Sequence, residues 1–249
     1  MRLYFIALQF LTIIPLPFTR RVEERDLGRS MAFFPLVGLT LGALLAGADF
    51  ILTPWLPRPV SDLLLVSILS AVTGCLHLDG LADVCDGLAA RGDRDRFLEV
   101  MKDSRIGAVG VVGLILGLLI KYQALLHIPL HYKREALLIF PMVARFSQVQ
   151  MAVGSSRAKT DGLASIFIDG AGVRQFISAA IITLAVAFIL FGVRGLYAII
   201  PLYLFTWGLK VFFHRKLGGI SGDIIGCASE LSEILCLLLL LGFIGISST

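Results

Sequence analysis

The chain has 249 residues, a net charge of +4 and a mean hydropathy of +0.88; 57% of its residues are hydrophobic and only 16% charged. Soluble domains carry about 25% charged residues. The deficit excludes a single water-soluble core and predicts an all-α, polytopic integral membrane helix bundle, with membrane lipid and no nucleic acid among its partners.

The first residues, MRLYFIALQFLTIIPLPF, hold one basic residue and an apolar run closed by Pro15 and Pro17. No small-residue cleavage site follows, so a signal peptide is not expected. The run is also short for a crossing and is read as an interfacial or re-entrant segment. Seven later stretches approach the roughly 20 apolar residues of a spanning helix: 31–52, 61–77, 108–126, 135–153, 175–192, 194–213 and 230–247. Seven transmembrane helices are therefore expected, with Lys121 and Arg145 interrupting two of them. The turn at Val193 to Gly195 makes the fifth and sixth an antiparallel hairpin. GxxxG spacings at Gly38/Gly42 and Gly113/Gly117 are assigned to packing within the bundle. Cys75, Cys85, Cys227 and Cys236 form no CxxC pair and are expected to be free thiols.

With seven crossings, the N-terminal segment and the loops at 78–107, 154–174 and 214–229 share one side. Counting Lys210 with the last of these loops, that side holds sixteen Lys and Arg residues, against four on the other. The positive-inside rule makes it cytoplasmic, with the N-terminus inside.

Against this frame, HLDGLADVCDGL (77–88) places three aspartates at the edge of an apolar run. On a helix, Asp79, Asp83 and Asp86 fall within about 60° of one another, on one face. Carboxylates so crowded repel unless one is protonated or a cation sits between them, and oxygen ligands suit a hard ion such as Mg²⁺. Gly80 and Gly87 leave room for a bulky group, and His77 can donate to a phosphate or orient an aspartate. A second cluster, GGISGDIIGCASELSE (218–233), contributes Asp223, Glu230 and Glu233 with the 7- and 3-residue intervals seen in the first. Glu230 and Glu233 are drawn into the last apolar run, where ionisable residues are functional candidates. Gly219, Ser221 and Gly222 suit an oxyanion-binding turn. Between the clusters, Lys102, Asp103, Ser104 and Arg105 read as a phosphate clamp, while Arg91, Arg94 and Arg96 read as a solvated helix face. Carboxylates and basic residues at one membrane surface predict phosphoryl or pyrophosphate chemistry, with a metal neutralising charge and a carboxylate acting as base. No P-loop, GxSxG or HExxH motif is present.

RSMAFFPLVGLTLG, HLDGLADVCDG, MKDSRIGAVG and GGISGDIIGCASELSE resemble the corresponding blocks of the cobalamin synthase family, the adenosylcobinamide-GDP ribazoletransferases. Ser221 stands where that family usually has Thr, which keeps the hydroxyl; the longer DGxxAR signature of the CDP-alcohol transferases is absent. The resemblance covers nearly the whole chain. It implies one transmembrane transferase domain over 1–249 in the bacterial inner membrane, with cytoplasmic active-site loops at 77–107 and 214–233. It also implies a Mg²⁺-dependent transfer of phosphocobinamide from adenosylcobinamide-GDP to α-ribazole or its 5′-phosphate, with GMP leaving. On that basis Asp79, Asp83 and Asp86 hold Mg²⁺, Lys102 and Arg105 hold the GMP phosphate, and Asp223, Glu230 or Glu233 completes the metal shell or acts as base. So bulky a substrate favours self-association or assembly with other corrinoid-pathway enzymes. The competing readings are a transferase using another nucleotide-activated, CDP-alcohol-like substrate and an ion-coupled transporter.

Overall fold

The computed structural model describes residues 1–15, 22–90, 92–158 and 163–246. Pro17, and the charges of Arg20, Arg21, Arg91 and Lys159 counted above, lie outside them. Within them the chain forms twelve α-helices and no strand. α1 (Arg2–Leu11) is too short to cross a membrane, as expected, and packs on α2 and α3. α2 (Glu24–Ser30) runs through a 3₁₀ turn into α3 (Phe34–Leu52). Then follow α4 (Arg58–Val72), α5 (Leu76–Ala89), α6 (Arg94–Val100), α7 (Ala108–His127), α8 (Leu130–Ala152), α9 (Leu163–Gly170), α10 (Val173–Phe191), α11 (Val193–Leu217) and α12 (Gly222–Ile246).

Among the described residues five segments are long and apolar enough to cross a membrane: Glu24–Leu52, α7, α10, α11 and Gly222–Phe243; a sixth is gained if α4 and α5 count as one broken span. By these criteria the expected count of seven is not reached, and two segments account for the difference. The stretch 61–77 does not continue as one helix. α4 stops at Val72, Cys75 takes a left-handed backbone conformation (φ 57°), and α5 leaves at 89° to α4. Residues 78–107 are consequently not a loop but mostly α5 and α6. The second segment is α8. Its 23 residues are long enough to cross, yet Lys133, Arg145, Gln148 and Gln150 on it are all buried. Such groups are tolerated at membrane depth where protein, not lipid, surrounds them. α8 is the central helix, enclosed by α3, α10, α11 and α12.

Small residues set the closest approaches. A Cβ on Gly38 would lie 2.5 Å from the α8 backbone at Met142, and one on Gly42 would lie 2.6 Å from Leu137 O. A Cβ on Gly113 would lie 2.5 Å from Cys85 Sγ of α5. Both GxxxG pairs therefore pack within the bundle, as expected. α10 and α11 form the expected hairpin, but it turns at Gly192, and Val193 to Gly195, expected as the turn, already belong to α11. Outward-facing Val109, Val112, Leu116, Ile181, Phe188 and Leu204 give α7, α10 and α11 an apolar surface for lipid. All four cysteines are free.

Candidate active site

α5 is wedged between α7 and α12. Asp79, Asp83 and Asp86 are on it as expected, but their surroundings separate them. Asp79 is exposed and borders a cavity of about 200 Å³ together with His77, Gln148, Gly222 and Asp223. Asp86 lies two turns further along, about 10 Å at 1.5 Å per residue. Its Oδ2 accepts from Gly107 N–H and its Oδ1 from Gly110 N–H, both at 2.7 Å. Those amides belong to the unsatisfied first turn of α7, so Asp86 caps that helix from a distance. It also borders a second, wider cavity of about 550 Å³ lined by Arg96, Lys102, Asp103, Arg105 and Gly107. Asp83 lies between them in sequence, half-buried.

The second acidic cluster divides as well. Asp223, in the first turn of α12, reaches the same cavity as Asp79. Glu230 and Glu233 do not face it. Both are buried, and both accept from Lys121 Nζ of α7 at 2.6 Å; Glu233 also accepts from Arg145 Nη1 of α8. Two anions and two cations from three helices thus neutralise one another inside the bundle. The sequence carried a signal for this: two cations interrupt apolar runs elsewhere in a chain with two acids in its last one.

Several glycines expected to admit substrate instead admit protein. A Cβ on Gly80 would lie 2.5 Å from Asp223 O, one on Gly87 would lie 3.0 Å from the Phe97 ring, and one on Gly219 would lie 2.5 Å from Ser156 O. Gly80 thereby brings the α5 backbone against the start of α12, which is how Asp79 and Asp223 come to share a cavity. Ser221 caps α12, its Oγ accepting from Ile224 N–H at 3.3 Å.

In the clamp segment Lys102 and Ser104 are exposed. Arg105 is bound to Asp103 through two side-chain bonds, Nε to Oδ1 at 3.0 Å and Nη2 to Oδ2 at 2.8 Å, and donates its backbone N–H to Oδ1 at 3.0 Å. The Arg105 side-chain bonds, then its backbone bond, hold the Asp103 carboxyl down at about 2 and push the Arg105 guanidinium up. Arg94, expected on a solvated face, instead donates to Leu217 O at 2.7 Å and Ala158 O at 3.2 Å. A bridge between Arg157 and Ile220 joins the same segments. The three loops assigned to one side of the membrane are therefore bonded together at one end of the bundle.

Among the described residues no group of three or more His, Cys, Asp or Glu side chains is arranged to hold a metal by itself. Asp79, Asp83, Asp86 and Asp223 do not form the expected four-carboxylate cage, because Asp86 is committed to amides. The Asp79 and Asp223 pair fits a cation of the kind that takes one or two carboxylates and completes its shell with water and substrate phosphates.

Taken together these features define a multi-pass helical membrane protein with a carboxylate-lined cavity and a basic one along a single helix at one end. Residues 3–241 match the cobalamin-5-phosphate synthase family, and the chain belongs to it. It is 65% identical over 245 residues to the adenosylcobinamide-GDP ribazoletransferase of Geotalea daltonii, covering 98% of this chain and 99% of that protein. It is 37% identical over 242 residues to the enzyme of the same name from Klebsiella pneumoniae strain 342, covering 96% and 98%, and 35% identical over 231 residues to that of Acetivibrio thermocellus, covering 92% and 93%. No solved structure matches the chain.

Proposed function

We propose that this chain completes cobalamin synthesis, transferring the phosphocobinamide moiety of adenosylcobinamide-GDP to α-ribazole or α-ribazole 5′-phosphate and releasing GMP. Its relatives are named for adenosylcobinamide-GDP and ribazole transfer, and the family for cobalamin-5-phosphate synthesis. The observation that carries it to this chain is the meeting of Asp79 and Asp223 at one cavity, with Lys102 and Arg105 around a second cavity that borders the same helix.

In this reading a ribose hydroxyl attacks the phosphorus bonded to cobinamide. It is not the 5′ oxygen, which carries the phosphate in one of the two acceptors. The bond from that phosphorus to the GMP oxygen breaks, GMP leaves with the electron pair, and the hydroxyl proton passes to Asp79 or Asp223. Lys102 and Arg105 offer charge-assisted bonds to the guanylate phosphate, and Asp103 holds the Arg105 fork in place. Mg²⁺ belongs with Asp79 and Asp223, with Asp83 one turn on as the third candidate. When bound it neutralises charge on the reacting phosphates. Asp86, Glu230 and Glu233 pass from the catalytic set to positioning and structural roles, because amides or buried cations occupy their oxygens. That pairing also weighs against an ion-coupled transporter: the acids at depth face fixed cations. A cytoplasmic position for this end of the bundle is supported by the sixteen-to-four charge asymmetry.

The test uses purified protein in detergent with Mg²⁺ and adenosylcobinamide-GDP. Release of GMP only when α-ribazole or its 5′-phosphate is added is the expected result. GMP release without either acceptor, or none with both, overturns the reading.

A further inference from the structure

The transfer reaction needs a seat for the acceptor's base, and nothing so far assigns one. We infer that the cavity of about 200 Å³ beside Asp79 is that seat: it takes a planar bicyclic heteroaromatic base with one bare ring nitrogen, the benzimidazole of α-ribazole. The inference rests on the transfer reaction proposed above.

Three observations carry it. The first is size. Pockets that enclose a whole drug-sized ligand run to roughly 300–1,000 Å³, so this one holds a fragment. A corrin ring is excluded. The second is the wall. Phe10 of α1, Phe34 of α3 and Phe167 of α9 form an aromatic cluster, with ring centroids 4.2 Å apart for Phe10 and Phe167, 5.8 Å for Phe34 and Phe167, and 6.2 Å for Phe10 and Phe34. All three border the cavity. Stacked or edge-on aromatic contact suits an apolar ring system. Guanine, with polar groups along its edges, would leave most of them unpaired against such a wall.

The third observation is a donor. His77 is 3% exposed and borders the cavity. Gln148 Nε2 lies 2.9 Å from His77 Nε2 and 2.9 Å from Ser229 Oγ. An amide nitrogen only donates, so His77 Nε2 accepts and the neutral ring carries its proton on Nδ1. Among the described residues Nδ1 has no hydrogen-bond partner. Buried donors are normally paired, and a ligand nitrogen with a bare lone pair supplies the missing acceptor. Benzimidazole substituted at one nitrogen has one such lone pair. With the base so placed, the ribose emerges at Asp79 and Asp223, which border the same cavity and are the residues assigned to the reacting hydroxyl.

The experiment measures initial rates with each substrate varied in turn, for the wild type and for two variants. Phe167→Ala opens the wall, and Ala164→Leu fills the cavity from α9. Each is expected to raise KM for α-ribazole at least tenfold while leaving KM for adenosylcobinamide-GDP within twofold. Wild-type enzyme is also challenged with free 5,6-dimethylbenzimidazole and with 5,6-dimethylindole, whose ring nitrogen donates and cannot accept. The benzimidazole is expected to compete with α-ribazole at least tenfold more tightly than the indole. If the benzimidazole fails to compete, binds no better than the indole, or competes with adenosylcobinamide-GDP instead, the assignment is overturned without reference to any variant. It is equally overturned if turnover persists in both variants with KM for α-ribazole unchanged. Wild-type enzyme that makes no cobalamin at all sinks the transfer reaction itself, a result separate from the others.

Discussion

Asp86 Oδ1 accepts the backbone N–H of Gly110 at 2.7 Å and thereby ties the end of α5 to the first turn of α7. With the matching bond from Gly107, one carboxylate satisfies two helix-terminal amides that water would otherwise have to reach. The residues between, which include the Lys102 to Arg105 segment, are held at both ends by this capping.

Asp86→Ala is accordingly expected to act on stability first. Losing two bonds to a charged acceptor costs about 3 kcal/mol, a fall of roughly 6–12 °C in midpoint for a chain of this size. Thermal unfolding in detergent reads it. Asp79→Asn should do the reverse, leaving the midpoint within about 2 °C while cutting kcat at least a hundredfold. Equal loss of stability in the two variants would contradict the division of labour between these aspartates.

The buried charges of α7, α8 and α12 give a second prediction. Removing one partner of a buried ion pair typically costs about 3–5 kcal/mol, because its opposite is left uncompensated. Glu233→Gln strands Arg145, whose Nε and Nη2 already have no hydrogen-bond partner among the described residues. It should unfold at markedly lower temperature than Glu230→Gln, which leaves Lys121 still bonded to Glu233. Replacing Lys121, Arg145, Glu230 and Glu233 together by Met and Leu should recover much of the loss. Failure of the fourfold variant to exceed Glu233→Gln in midpoint would show that these charges do more than neutralise one another.

How much of this was legible in the sequence follows from the range of the signals. The helix through Asp79, Asp83 and Asp86 is a local pattern, and so are the GxxxG pairs and the α10–α11 hairpin; all were readable. The break at Cys75 was not, because a left-handed residue between two apolar helices leaves hydropathy unchanged. Asp86 looked like its neighbours, since angle on a helix says which face a residue shares and not what lies opposite; Gly107 and Gly110 lie opposite. Glu230 and Glu233 were misplaced for the same reason. Their partners are more than 80 residues away in sequence, and only the packing of three helices brings them together. The stretch 135–153 read as one more spanning helix, and hydropathy, which averages over a helix, could not tell that its Arg145 is buried.

Close packing between α5 and α7 supplies a third prediction. Gly113→Ala would put a methyl group 2.5 Å from Cys85 Sγ, and overpacking of this kind costs about 1–3 kcal/mol. Cys85→Ala removes the obstructing sulfur, so the double variant should be more stable than Gly113→Ala alone. The coupling in a double-mutant cycle is expected at roughly 1–2 kcal/mol, and a value near zero would mean that the helices separate instead of clashing.

The last prediction concerns pH. Two side-chain bonds and a backbone bond from Arg105 hold the Asp103 carboxyl down at about 2. A carboxyl lowered on folding contributes its pairing fully above its ordinary range, near 4, and loses it only as pH falls through about 2. Between pH 5 and 9 the Asp103–Arg105 pair therefore keeps one charge state. Asp103→Asn removes the carboxylate that orients Arg105, and it should raise KM for adenosylcobinamide-GDP several-fold by the same factor at every pH in that window. Any inflection in the activity profile between pH 5 and 7 should survive in Asp103→Asn, because it arises from another group. A profile in which the substitution abolishes such an inflection would show that Asp103 titrates near neutrality during turnover, and the pairing seen here could not then persist in the working enzyme.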